Sequence, residues 1–294
     1  MELRKRVQMD CLIMMGCDMS ANLVNLVRQE LLPLTSFVEY EWHMWNLDEL
    51  KNKINKYKLV ILLGEICDKF EDKLVDYCKI KQWFDVIYSG SAVVYPSRKT
   101  CDWIISKTYL YHLSLQNNPI IIPNTLFIHS NNSDSNKHLD QLLHFKPSYQ
   151  SSGRNHLIGK SKNRSTTQYI KRMLKSGRFV ICQPHHDPFK ETKRVMIGRS
   201  DDPMNREVFK VADDNGIRLD WFRLDTVQIN GSEYLNEIEV LDARLYPHEE
   251  QKVAECIARN AVRVLNSRVL NATIALNATI ALNATIALNA LSML

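Results

Sequence analysis

Over its first 63 residues the chain alternates short apolar runs with amphipathic stretches, and this order restricts the fold more than any other feature. Residues 11–15 (Cys-Leu-Ile-Met-Met) and 59–63 (Leu-Val-Ile-Leu-Leu) carry no charged or amide side chain. Each therefore predicts a strand buried on both faces. Between them, Leu23, Leu26, Val27 and Leu31 recur at helical spacing within residues 20–32. Residues 37–45 alternate like a strand, and 47–57 read as a polar helix. Strands separated by helices cannot pair through tight hairpins, so the β-α-β-α-β order predicts a mainly parallel sheet with helices on its faces. Gly64 then falls at the C-terminal end of a strand, where open α/β sheets tend to place ligands.

The pattern breaks near Tyr95-Pro96-Ser97, and a helix is predicted over 100–115. Asn117-Asn118-Pro119 stops it, and residues 120–123 begin another extended segment. The apolar-poor stretch 130–137 reads as a loop. Beyond it the spacing predicts a lone strand at 142–147, a polar loop, a basic helix at 166–175 and a strand at 179–183. Strands near 194–197, 220–228 and 234–240 follow, with a polar turn at 200–204, a short helix at 205–213 and a helix over 248–265. The last segment repeats Asn-Ala-Thr-Ile-Ala-Leu from Asn271, Asn277 and Asn283. A six-residue period matches neither 3.6 nor 7, so it holds no single apolar face, and the repeat reads as a peripheral tail.

Charge and cysteine usage narrow the class. A net charge of +5 over 294 residues, with the basic residues scattered, gives no call for nucleic acid. The densest basic stretch, Lys160 to Arg178, reads as a solvated helix and loop, or else as a contact for a phosphate-bearing ligand. Seven cysteines form no CxxC pair, and several sit in apolar runs such as Val180-Ile181-Cys182. A zinc or disulfide scaffold is not expected, and a reducing compartment fits better. Residues 1–10 are charged and do not read as a signal peptide. No window is apolar over a bilayer-spanning length, so the expectation is a cytoplasmic protein without a membrane partner.

The chemistry concentrates in two predicted strands joined by Asn230-Gly231-Ser232, a hairpin signal. Residues two apart on a strand share a face, so Arg223 and Asp225 share one, as do Glu237 and Glu239. If the two faces coincide, three carboxylates and a guanidinium converge. Such a group repels itself without a cation, and its hard oxygen donors suit magnesium. The plainer alternative is the polar side of an edge hairpin. Leu224, Leu235, Ile238 and Val240 argue against that by anchoring the opposite face in a core. Upstream, Lys146-Pro147-Ser148 ends a strand and leads into Ser151-Ser152-Gly153-Arg154, a lysine and small-residue loop that can cradle phosphate. Residues 179–184 form an apolar strand running into a hinge, with Glu191 and Lys193 shortly after.

Taken in order, these segments resemble the ATP-grasp superfamily, and within it the glutathione-synthetase-like group that includes the ligase of cycloserine biosynthesis. Lys-Pro-Ser with Gly153-Arg154 and the Glu237-x-Glu239 pair followed by Leu245-Tyr246 carry the likeness, which extends from about residue 101 to 263. The resemblance implies an α/β fold (α+β lobes): an N-terminal parallel α/β lobe at 1–100, an ATP-grasp domain at 101–268 whose two lobes sandwich ATP, and the repeat tail at 269–294. It implies that Lys107 and Lys146 hold the ATP phosphates, with Ser152 and Gly153 in the loop. Gln183 would begin the adenine hinge, Glu191 would meet the ribose, and Lys193 would add a phosphate contact. Asp225, Glu237 and Glu239 would hold Mg2+, and Arg223 would stabilise developing negative charge. The implied reaction joins a small-molecule carboxylate to an amine through an acyl-phosphate.

Residues 198–222 are fewer than in many relatives, which motivates an alternative: a nucleotide-binding module without turnover, serving regulation or assembly. A third reading, a peptide-modifying ligase, would use the 160–178 basic stretch against an acidic acceptor. His185-His186-Asp187 is not read as a metal site, because adjacent strand residues point to opposite faces. Tyr40, Trp42 and Trp45 are read as core and lobe-interface aromatics.

Overall fold

The computed structural model describes residues 9–15, 21–32, 35–41, 46–64, 77–115, 122–129, 142–148, 156–185, 190–241 and 245–291. Its first sheet is parallel, in the order β2-β1-β3-β4, with β1 Met9–Met15, β2 Thr35–Glu41, β3 Leu59–Leu63 and β4 Val93–Tyr95. Every residue of β3 is buried, as are Cys11 to Met14 of β1, as expected of strands covered on both faces. Helix α1, Ala21–Leu31, buries Leu23, Val24, Val27 and Leu31. Helix α2, Leu47–Ile54, starts where the Asn46 side chain accepts from the Glu49 amide, with Asp48 and Glu49 in its first turn and Lys51 and Lys53 in its last. The predicted β-α-β-α-β order is observed. Helix α3, Tyr77–Ser89, and β4 complete this unit, and neither was expected from the sequence.

The single helix expected over 100–115 is in fact two, α4 Arg98–Ile105 and α5 Thr108–Ser114. Lys107 sits at the break in the left-handed region, φ 59° and ψ 22°. A non-glycine residue adopts that conformation only where its surroundings enforce it.

A second, antiparallel sheet has the order β5-β8-β6-β7, with β5 Leu126–Ile128, β6 Leu142–Pro147, β7 Leu157–Lys160 and β8 Val180–Pro184. The strand read as lone, β6, is thus paired on both sides, and part of the expected polar loop is strand β7. Helix α6, Arg164–Lys175, lays Tyr169, Ile170 and Met173 against Leu143, Phe145, Val180 and Cys182 to form that lobe's core.

The third sheet, β11-β10-β9, joins β9 Glu191–Ile197, β10 Trp221–Ile229 and β11 Ser232–Glu239 in antiparallel register. Asn230 and Gly231 both have positive φ, 51° and 80°, the backbone a two-residue hairpin turn needs. Helix α7, Pro203–Asp214, is N-capped by Asp202 and packs Phe209 on Phe222. One core runs from the first sheet (Ile13, Ile61) through α7 to β10, β11 and helix α8. At the end of β3, the Gly64 amide donates to the Leu241 carbonyl just past β11, 2.7 Å apart.

Helix α8 spans Pro247–Leu291 and so runs well beyond the helix expected over 248–265. Val253, Ile257, Ala261 and Leu265 are buried at helical spacing, and the helix then continues through the hexamer repeat. Residues 266–283 are all exposed. Six residues turn a helix by about 600°, so successive repeats point about 240° apart and present no common face to a core. Among the described residues no helix is long and apolar enough to cross a membrane.

Candidate functional site

Strand register decides which side chains meet. Arg223 lies opposite Glu239 and Asp225 opposite Glu237, while Lys193 of β9 lies opposite Asp225 on the other side. All five therefore share one face of the third sheet: alternation groups each pair on its strand, and a register shift between Asp225 and Thr226 brings the two pairs to the same side. The Arg223 guanidinium, 4% exposed, donates from Nε and Nη2 to both oxygens of Asp225 at 2.6 Å. Asp225 is itself 1% exposed. Arg223 also faces Glu239 as an ion pair, yet Glu239 Oε2 accepts no well-aligned hydrogen bond. Burial raises the Glu239 pKa to about 7, with Asp225 adding to the rise and Arg223 opposing it.

The two phosphate lysines of the sequence reading reach this face from separate elements. Lys107, at the α4–α5 break, forms an ion pair with Glu237. The left-handed backbone there ends one helix and starts the next, which turns the lysine toward β11. Tyr109 reinforces this approach, its hydroxyl accepting from the Ile238 amide at 3.1 Å. Lys146, at the end of β6, crosses from the second sheet to donate to Asn236 Oδ1. It is 6% exposed. Burial lowers its pKa to about 7, assisted by the Lys107 charge and opposed by Glu191.

Asn236 was missed from sequence for a physical reason. Asp225 pairs with Glu237 but Thr226 pairs with Leu235, so Asn236 is the extra residue of a β-bulge. Simple alternation puts it on the face opposite Glu237. In the structure its amide accepts from Lys146 and donates to Glu191 Oε1 at 3.0 Å. Glu191 in turn pairs with Lys193 at 3.2 Å, and Lys193 reaches Asp225 at 3.5 Å.

Between the second and third sheets lies a slot lined by His144, Lys146, Gln183, Pro184, Val227 and Asn236. Gln183 is buried and donates to Thr125 Oγ1 at 3.0 Å. His144 Nε2 and His156 Nδ1 stand 3.0 Å apart and share one hydrogen bond, with His185 close to His144. Burial lowers His144 to about 4, helped by Lys146 and His185, and lowers His156 to about 2. Both rings are therefore neutral. The sequence offered no signal for this pair: His144 lies in β6, and His156 immediately precedes β7, which pairs with it. Ser152, Gly153, Arg154, His186, Asp187, Trp42 and Trp45 lie outside the described residues.

No family model matches the chain, and no curated protein matches it. Solved structures do. The D-cycloserine synthetase DcsG superposes with a TM-score of 0.65 at 12% identity, over 86% of this chain and 99% of that one. A RimK domain ATP-grasp protein from Sphaerobacter thermophilus gives 0.58 at 13% identity, over 85% and 99%. D-alanine–D-alanine ligase from Bacillus anthracis, solved in complex with ATP, gives 0.56 at 13%, over 88% and 99%.

The chain has the ATP-grasp fold. In its terms the slot lies between the two sheets of the grasp, with Lys146 and Gln183 on one wall and Val227 and Asn236 on the other. The first sheet is the parallel lobe that the opening residues predict.

Four cations (Lys107, Lys146, Lys193, Arg223) thus meet four carboxylates (Glu191, Asp225, Glu237, Glu239) on one face. Most of them are satisfied by one another. Among the described residues no three metal-ligating side chains converge closely enough to hold an ion as they stand, because Asp225 and Glu237 are each turned to a protein cation. The donor set still suits magnesium in kind, being carboxylate oxygen throughout, and Glu239 Oε2 is a buried oxygen without a hydrogen bond.

Proposed function

We propose that this chain is an ATP- and Mg2+-dependent ligase that joins a carboxylate to an amine through an acyl-phosphate, with ADP and phosphate as products. One observation carries the reading. Lys107, at the α4–α5 break, and Lys146, on β6 of the second sheet, converge on consecutive residues of β11 directly beside the Arg223–Asp225–Glu239 cluster. That is the charge layout phosphoryl transfer needs: cations where a polyphosphate sits and carboxylates beside them.

In this proposal the triphosphate takes over Lys107 and Lys146 from Glu237 and Asn236. That exchange frees Glu237, which together with the buried Asp225 and Glu239 beside it would hold Mg2+, and the ion would supply charge neutralisation at the transferred phosphoryl group. The substrate carboxylate oxygen attacks the γ-phosphorus, and the bond to the ADP oxygen breaks. Arg223, already held in plane by both Asp225 oxygens, faces the charge that develops on the transferred group. The amine then attacks the acyl carbon, phosphate leaves and the amine loses a proton. Glu191 and Gln183 serve the ribose and adenine ends, with Lys193 held between Glu191 and Asp225. Charge balance supports the exchange: the site is neutral on its own, so polyphosphate enters together with divalent cation.

The test is thermal stabilisation by ATP with and without Mg2+, because a ligand bound only by the folded state raises the melting temperature by mass action. A shift that needs Mg2+ and disappears in Asp225→Asn/Glu237→Gln supports the site. Substrate-dependent phosphate release, absent in Glu237→Gln, then supports turnover. Binding without release across amino acids, small peptides and simple amines would favour the module without turnover. No shift in the folded wild type would overturn the nucleotide reading.

A further inference from the structure

At the end of the third sheet where β9 stops and β10 begins, α7 and α8 leave an open groove of about 570 Å³. It continues along α8 through Arg259 into a second hollow of about 360 Å³. None of its lining residues belongs to the nucleotide slot or the carboxylate cluster.

Four arginines line the groove: Arg199, Arg218, Arg259 and Arg263. The first two are matched within it. Arg199 pairs with Asp213, and Arg218 pairs with Asp220 at 3.2 Å while donating to Asn260 Oδ1 at 3.0 Å. Arg259 and Arg263 are not matched, and no carboxylate of the described residues forms an ion pair with either. Four residues apart on one helix, they repel each other, which costs the fold rather than helping it. Between these charges the floor is apolar, with Ile197 41% exposed, Leu270 59% exposed and Val262 partly buried.

We propose that this groove docks an acidic, extended segment of a partner protein. Unmatched guanidinium groups flanking apolar ground are the arrangement that recognises carboxylates alternating with apolar side chains. From Cys256 to Leu270 the helix rises about 21 Å, the length of roughly six extended residues. Single-stranded nucleic acid fits less well. Phe209, the aromatic residue of the groove lining, is buried, leaving no exposed ring there for a base to stack on.

The experiment is fluorescence anisotropy of the full chain with a labelled octapeptide of alternating glutamate and leucine. Its controls are the glutamine–leucine analogue and an oligothymidylate of equal charge. The expected result is saturable binding to the glutamate peptide that Mg·ATP does not displace. Arg259→Glu/Arg263→Glu weakens it by roughly tenfold or more, whereas Lys51→Glu, on the exposed face of α2, leaves it unchanged. Equal binding of the glutamine analogue, indifference to the double reversal, or tighter binding of the oligothymidylate at this groove would each overturn the proposal. Both arginines are solvent-facing, so the double variant melts like the wild type, and a loss of affinity reports the groove rather than unfolding. A protein that fails the ATP test can still pass this one, so the two readings stand or fall separately.

Discussion

Strands β3 and β10 are both buried, yet they are built from different chemistry. β3 is Leu-Val-Ile-Leu-Leu, covered on both faces by apolar side chains. β10, Trp-Phe-Arg-Leu-Asp-Thr-Val-Gln-Ile, is buried along its first seven residues. One of its faces packs Phe222 and Leu224 into the same core as β3, while the other buries Arg223 and Asp225. Burial of β3 needs no further explanation than the removal of apolar surface from water. Burial of Arg223 and Asp225 works against that effect and holds only because the two ions satisfy each other with paired hydrogen bonds. Two strands of one core thus show which burial serves the fold and which serves the site.

The largest expected effect separates the two strands by function. Arg223→Met/Asp225→Leu/Glu239→Leu replaces the buried ionic group, including the Glu239 that also faces Arg223, with apolar side chains of similar size. It should keep the protein folded, with stability unchanged or raised by about 1–4 kcal/mol, while abolishing the Mg·ATP-dependent thermal shift. If the variant retains that shift, the buried pair is structural and the contrast with β3 collapses.

Breaking the pair without replacing it should cost about 3–5 kcal/mol in Arg223→Met alone, since the buried Asp225 then loses both of its short guanidinium hydrogen bonds and keeps only the longer Lys193 contact. In β3, Ile61→Ala should cost a comparable 2–5 kcal/mol through the cavity it leaves. Urea denaturation of both variants sharpens the comparison. The Arg223→Met loss should shrink when Asp225→Leu is added, whereas no second substitution within the β10 pair rescues Ile61→Ala.

Across the slot, pH gives a smaller and signed effect. Lys146 titrates near 7 in the folded chain and near 10.5 when unfolded. Between those values the unfolded chain holds more protons, so ligand-free stability rises with pH from about 7 to 10.5. Lys146→Met should remove that rise. The lowered His144 and His156 act on the acid side, where their contribution falls as pH drops below 6.5 toward 4, while the raised Glu239 opposes them between about 7 and 4.5. Melting temperatures measured from pH 4 to 10 in chelator test both limbs, and a Lys146→Met profile identical to wild type would contradict the buried-lysine account. The smallest effect should come from deleting residues 269–294. The described part of that segment is exposed, so the loss is expected to stay within about 0.5 kcal/mol.

Much of this was legible in the chain. The apolar runs at β1 and β3 cannot lie at a surface, so their burial and the helices between them follow from composition and order alone. Arg223 and Asp225 share a face because a strand repeats every two residues, as do Glu237 and Glu239, and Asn230-Gly231 marks the hairpin turn between the two strands. Those are local rules, and local rules can be read from a sequence. What the sequence did not determine depended on contacts between distant segments. The break at Lys107 has no glycine or proline to announce it and is enforced by packing around it. Asn236 turns into the site only because a bulge shifts the β10–β11 register by one residue. The His144–His156 pair exists because β6 and β7 lie side by side, and the arginine groove because α7 and α8 meet at one end of a sheet. Each of these joins residues whose separation along the chain carries no information about their distance in space, so only the tertiary structure could decide them.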